Sequence, residues 1–209
     1  MKPRHQMWAT VNLLFLALVS CAPKGDKLLL GPGQALGTVL ARETVLADGT
    51  KKPVVLILPK WAANSTAGES FEAELKKHDV SVAYTLLADV GDPMGRAPAL
   101  TAEDFSDALS KGASAGAIVS LAGAPLLSAQ EMARMNTNRL PVLIVASRSL
   151  GNVIGVPTDL DALADLLNAK VIQLAIVDGN SEPNANPDGK TDATQQLFFE
   201  HYSIRRRRE

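Results

Sequence analysis

Cysteine is almost missing. The 209 residues hold one, Cys21, so no intramolecular disulfide can form and stability has to come from a packed core. Histidine is scarce too, at three, and without further thiols there is no Cys/His cluster at zinc-ligand spacing. No G-x-G-x-x-G follows a strand-like run and no Walker A sequence occurs, so nucleotide binding has no support. No cofactor and no metal are expected. Nor is there an excess of positive charge: 21 Lys+Arg stand against 22 Asp+Glu. Without Lys2 and Arg4 the balance is 19 against 22, and the Arg205–Glu209 end, with four arginines and one glutamate, supplies a net +3 of it. The body is therefore acidic, which excludes the basic face that nucleic acid usually requires.

The N-terminus has the three parts of an export signal. Lys2 and Arg4 give a positive start, and no acid occurs before Asp26. Val11 to Val19 is apolar apart from Asn12, and is much shorter than the about 20 residues of a spanning helix. It ends in Leu18-Val19-Ser20-Cys21. These four residues resemble the lipobox of bacterial lipoproteins: a branched apolar residue, two small ones, then the cysteine. The resemblance implies a signal peptide over residues 1–20, cleavage before Cys21 and a lipid on its thiol. Acyl chains there give membrane affinity of about 0.8 kcal/mol per buried CH₂. Ala22 is not the aspartate that retains such proteins in the inner membrane, which implies the periplasmic side of the outer membrane.

Residues 21–33 carry Pro23, Gly25, Gly31, Pro32 and Gly33 and read as a tether. Leu36, Val39 and Leu40 predict a helix over 34–46. Apolar runs then alternate with helical patterns. The runs are Val54–Leu58, Val80–Leu86, Ala117–Leu121, Val142–Val145 and Val171–Val177. Between them stand Thr66-Ala67-Gly68-Glu69, Thr101-Ala102-Glu103-Asp104, Ser128-Ala129-Gln130-Glu131 and Thr158-Asp159-Leu160-Asp161. Each pairs a hydroxyl with an acid three residues on, the signature of a helix start. Strands alternating with helices predict βαβ units and a parallel sheet with right-handed crossovers. The expected fold is an α/β, Rossmann- or flavodoxin-like three-layer sandwich of about five mainly parallel strands. The alternating second run belongs at an edge and the uniformly apolar runs in the middle, giving the order 2-1-3-4-5. The single domain is expected over 34–178. Residues 179–209 are expected to form a polar loop and a segment, Leu197–Ile204, that docks back and leaves Arg205–Arg208 free.

In such a sheet ligands bind beyond the carboxyl ends of the strands, where the order reverses. The loops there are Pro59–Ser65, Ser120–Pro125 and Ser147–Ser149. Trp61 offers a stacking face and Asn64 a donor and an acceptor. Lys60 and Arg148 suit an anion. At these residues the stretch from Pro53 to Val145 resembles one lobe of a type I periplasmic binding protein. The cues are VVLILPKWAANSTAGESFEAELKKHDVSVAY, AGAIVSLAG and RLPVLIVAS. The resemblance implies that Trp61 and Asn64 contact a ligand and that Ser120 lines the cleft. It also implies two lobes closing on the ligand, whereas this chain has length for one.

Other motifs fail on context. Gly112-Ala113-Ser114-Ala115-Gly116 fits the G-x-S-x-G elbow, which must run from strand to helix; here a helix precedes and a strand follows. His78 and His201 are the only possible bases after residue 21. Asn184–Gly189 imitates a calcium loop but starts on Asn and has Gln195 in place of the twelfth-position Glu. No catalytic constellation forms. The expected partners are the membrane, through lipid on Cys21, and a small polar ligand or an envelope protein. The alternative is a structural or assembly lipoprotein without a small ligand.

Overall fold

The computed structural model describes residues 30–90, 100–135, 140–147, 160–179 and 192–206. Cys21, Arg148, Thr158 and the Asn184–Gly189 segment lie outside them. Gly31–Glu209 makes up one compact unit, to which every described helix and strand belongs.

The elements in chain order are α1 (Pro32–Asp48), β1 (Val54–Pro59), α2 (Thr66–Lys77), β2 (Val82–Ala88), α3 (Ala102–Lys111) and β3 (Ile118–Ser120). Then come α4 (Ala129–Arg134), β4 (Val142–Ala146), α5 (Leu160–Asn168), β5 (Leu174–Asp178), α6 (Ala193–His201) and β6 (Tyr202–Arg206). The sheet order is β2-β1-β3-β4-β5-β6. The first five strands are parallel and β6 is antiparallel to β5. This is the three-layer α/β sandwich that the run pattern predicts, with one strand more.

Strand periodicity divides the core in two. Val54, Leu56 and Leu58 of β1 face α1, α2 and α6, where Leu36, Leu40, Phe71, Leu75 and Phe198 pack. Val55 and Ile57 face the other side, with Phe105 and Ala108 of α3 and Leu163, Leu166 and Leu167 of α5. The edge position of β2 shows in its side chains, which alternate between half-buried and exposed up to a buried Ala88.

Several boundaries differ from the sequence pattern for identifiable reasons. α1 begins at Pro32, inside the stretch read as tether. Pro32 occupies the first turn, where its missing N–H is harmless, and the Gln34 side chain accepts from the Gly31 N–H at 3.0 Å. α2 is capped by Ser65, whose hydroxyl accepts from Gly68 N at 3.2 Å, so Thr66 is already helical. β5 starts three residues later than the apolar run. Lys170 turns into the left-handed region at φ 61°, and the N–H of Val171 returns to Leu166 O at 2.9 Å. The apolar Val171 and Ile172 thus finish α5 instead of starting a strand.

The C-terminal end also differs. Arg205 and Arg206 are not free: both belong to β6, paired with Ala175 and Leu174. Arg206 Nη2 donates to Glu43 Oε2 at 2.5 Å. Among the described residues no helix is long and apolar enough to cross a membrane.

Candidate functional site

The parallel strands bring five carboxyl ends to one edge of the sheet. Between β1 and β3 the order reverses, because α2 leads outward to β2 whereas α3 leads back over β1 to β3. The chain leaves β1 through a single 3-10 turn, Lys60–Ala62. Ala62 is buried and pins that turn, while Trp61 stays 37% exposed. Asn64 follows, also exposed, just ahead of the Ser65 cap that fixes the start of α2. Trp61 and Asn64 are therefore held on a short, anchored loop at the reversal point, with a flat apolar face and an amide open to solvent.

The other expected residues fare differently. Ser120 pairs in register with Ile57 of β1 and is fully buried. Its hydroxyl donates to Gly123 O at 2.8 Å and accepts from Ala122 N at 3.2 Å. It closes the turn after β3, in which Gly123 takes φ +89°, a conformation glycine adopts without strain. Lys60 is engaged as well, its Nζ 3.1 Å from Asp89 Oδ2 just beyond β2. That pair is mostly exposed, so its contribution to stability is small, but it ties the β1 loop to the end of β2. Arg148 lies outside the described residues.

Two residues at this edge escaped the sequence reading: Asp89 and Asp178. Each stands at or just past the carboxyl end of an apolar run, which is the signal that could have found them. Asp178 ends β5 and accepts a hydrogen bond from the Ser147 hydroxyl at the end of β4. The edge thus presents an indole face, an amide, a lysine–carboxylate pair and a serine–carboxylate pair, which suits polar, hydroxyl-bearing molecules. Scale decides which groups can act together. β5 is three strand spacings from β1, roughly 14 Å, so a ligand of monosaccharide size on Trp61 does not reach Asp178.

The G-x-S-x-G motif is placed at the opposite edge. Gly112 follows α3 and the motif runs into β3, a helix-to-strand passage and not the strand-to-helix turn the elbow needs. His78 ends α2, its Nε2 3.8 Å from Glu74 Oε1. Among the described residues no group of His, Cys, Asp or Glu could hold a metal ion.

No family model and no curated protein matches the chain. Solved structures do. The XylFII molecule superposes with a TM-score of 0.51 at 14% identity, covering 84% of this chain and 61% of that one. An ABC transporter solute-binding protein from Burkholderia graminis C4D1M, in complex with D-arabinose, gives 0.49 at 16% identity, with 69% and 47% covered. The arabinose-binding protein AraP from Geobacillus stearothermophilus gives 0.47 at 12%, with 69% and 45% covered. At these identities the likeness is one of fold. This chain spans about half the length of the structures it matches.

Proposed function

We propose that this chain is a lipid-anchored protein of the bacterial cell envelope whose α/β body captures a small polar ligand or a partner protein at the carboxyl edge of its sheet. The observation that carries the reading is the exposed Trp61–Asn64 pair at the reversal point between β1 and β3. Trp61 would stack on the ligand and Asn64 would hydrogen-bond it, with Arg148 as a further contact. Ser120 has a supporting part, since its buried hydroxyl shapes the loop beside them.

Location rests on Leu18-Val19-Ser20-Cys21: signal over 1–20, lipid on Cys21, and Ala22 in favour of the outer membrane. Palmitate labelling of the chain, lost in Cys21→Ser, is the expected result. A thermal-shift screen against pentoses, hexoses, amino acids and nucleosides tests the site. A ligand present at a hundred times its Kd stabilises by about 2.7 kcal/mol, roughly 5–10 °C for a domain this size. Trp61→Ala should abolish the shift. If no compound moves the transition, the second reading gains: a structural or assembly lipoprotein without a small ligand. That reading is favoured by Lys60 and Ser120, whose polar groups already serve the protein itself.

A further inference from the structure

We infer that Asp89 sets the charge preference of the Trp61 site: by pairing with Lys60 it turns the site towards uncharged ligands and away from their anionic counterparts. This rests on the reading of Trp61 and Asn64 as ligand contacts. What it adds is a residue that decides which ligands they accept.

The pair is built into the sheet. β1 and β2 stay in register to their last residues, Pro59 opposite Ala88. Lys60 and Asp89 come next on the two strands, and Lys60 Nζ lies 3.1 Å from Asp89 Oδ2. They form one more rung beyond the end of the ladder. Lys60 also opens the 3-10 turn whose second residue is Trp61. Consecutive Cα atoms are about 3.8 Å apart, whereas charges at a surface act over about 10 Å at 0.1 M salt. The pair therefore contributes to the field at the indole.

Lys60 decides the sign of that field because the other cations are elsewhere. Lys76 and Lys77, Lys111 and Arg134 occupy the last turns of α2, α3 and α4. Lys51 and Lys52 precede β1, Lys170 follows α5, and Arg205 and Arg206 end the antiparallel β6. Arg42 is turned to Glu74 and Asp192. None of these belongs to the carboxyl edge, so among the described residues Lys60 is the one lysine or arginine there. Unopposed, it would draw an anion towards Trp61, the part that its place in the sequence suggests. With Asp89 beside it the two charges nearly cancel at the distance of a ligand. Glu69, exposed in the first turn of α2, adds a negative charge five residues beyond Asn64, offset in part by the positive helix end.

Removing the charge at position 89 reverses the preference. Asp89→Asn keeps the shape of the side chain and an acceptor for Lys60, and takes away the opposing charge. Lys60 then acts on an anion alone. The site turns towards the anionic member of a matched pair, such as a hexuronate against its hexose or a nucleoside 5′-monophosphate against its nucleoside. Lys60→Gln in the same chain removes the second charge and restores the balance. The two side chains are 59% and 75% exposed, so the fold stands without the pair and the variants differ in field more than in structure. Arg148 is common to parent and variants and drops out of the comparison.

The full chain carrying Trp8→Phe has Trp61 as its sole tryptophan. Quenching of its emission by iodide and by caesium, each against uncharged acrylamide, reads the field at the indole. Titration calorimetry with hexose–hexuronate and nucleoside–monophosphate pairs reads the preference. The parent should bind the uncharged member more tightly. Asp89→Asn should raise iodide quenching, lower caesium quenching and shift the ratio of the two Kd values towards the anion. Each change should be roughly two- to fivefold at constant, low ionic strength, the range of an exposed charge pair. Adding Lys60→Gln should bring all three back. If a pair binds and Asp89→Asn leaves either readout unchanged, the role of Asp89 is overturned and the Trp61 reading stands. A parent that prefers the anion has the same consequence. If no pair binds, the reading of the site falls and takes the role of Asp89 with it.

Discussion

Glu74 is a carboxylate only 4% exposed, and three basic side chains from two helices meet it. Arg42 Nε lies 2.9 Å from Oε1, Lys77 Nζ 2.6 Å from Oε2, and His78 Nε2 3.8 Å from Oε1. Burial pushes this carboxyl up, but the hydrogen bonds from Lys77 and Arg42, with their charges, outweigh it and hold Glu74 below its ordinary value. Arg42 also reaches Asp192 Oδ2 at 2.6 Å. That carboxyl is likewise held down: burial raises it, and the Gln195 N–H and Arg42 more than compensate. A carboxyl depressed in the folded state contributes stability above its unfolded value, near 4.5 for Glu74, and loses it as the pH falls through the folded value. Glu74→Gln should therefore cost about 1–2 kcal/mol at neutral pH and flatten the acid limb of the stability curve. Urea unfolding on stepwise acidification measures both. An acid limb as steep as in the parent would place the titration on other carboxyls. Side-chain detail of this kind was not legible in the sequence. Nothing in the run of residues says that Lys60 is already paired with Asp89, or that the register with Ile57 turns Ser120 inward.

Elements were legible where burial is uniform and illegible where a cap borrows apolar residues. β1 and β4 are buried throughout or nearly so, and their unbroken apolar runs announce them. Val171 and Ile172 are equally apolar and equally buried, yet they close α5, because the left-handed turn at Lys170 comes first. β6 was hidden by its arginines, which read as a solvated tail; an edge strand tolerates such charges and is protected by them. The contact between α1 and α2 depends on one residue that no periodicity singles out. A Cβ on Gly37 would stand 2.1 Å from Ala67 O and 2.8 Å from Phe71 N. Both are backbone atoms, so the two helices must separate to accept it. Gly37→Ala gains in helix propensity by up to about 1 kcal/mol, but the overpacking should win with a net loss of about 2 kcal/mol. A thermal melt showing no loss would mean that α1 can shift along α2 without cost.

At the scale of the whole molecule, the question is whether five parallel strands suffice or whether the sixth completes the fold. The sequence pattern places one domain over 34–178 and treats the rest as a segment docking on it. In the structure α6 and β6 carry two of the largest fully buried side chains, Phe198 and Tyr202. Their rings lie 5.3 Å apart in the same cluster as Leu36 and Leu40 of α1 and Ile176 of β5. Two ion pairs join this end to α1: Arg42 with Asp192 and Arg206 with Glu43. Being partly exposed, those pairs count for little, and the aromatic burial decides. Each ring removed from the core forfeits about 3 kcal/mol of burial, and β5 loses a strand partner along its whole length. Against a typical margin of 5–15 kcal/mol, a loss above about 6 kcal/mol leaves little. A chain ending at Gly179 should therefore lack a cooperative thermal transition by calorimetry and lose its near-ultraviolet dichroism. A cooperative melt within a few degrees of the full chain's would show instead that α1 to β5 fold by themselves, and that α6 and β6 only cover an edge.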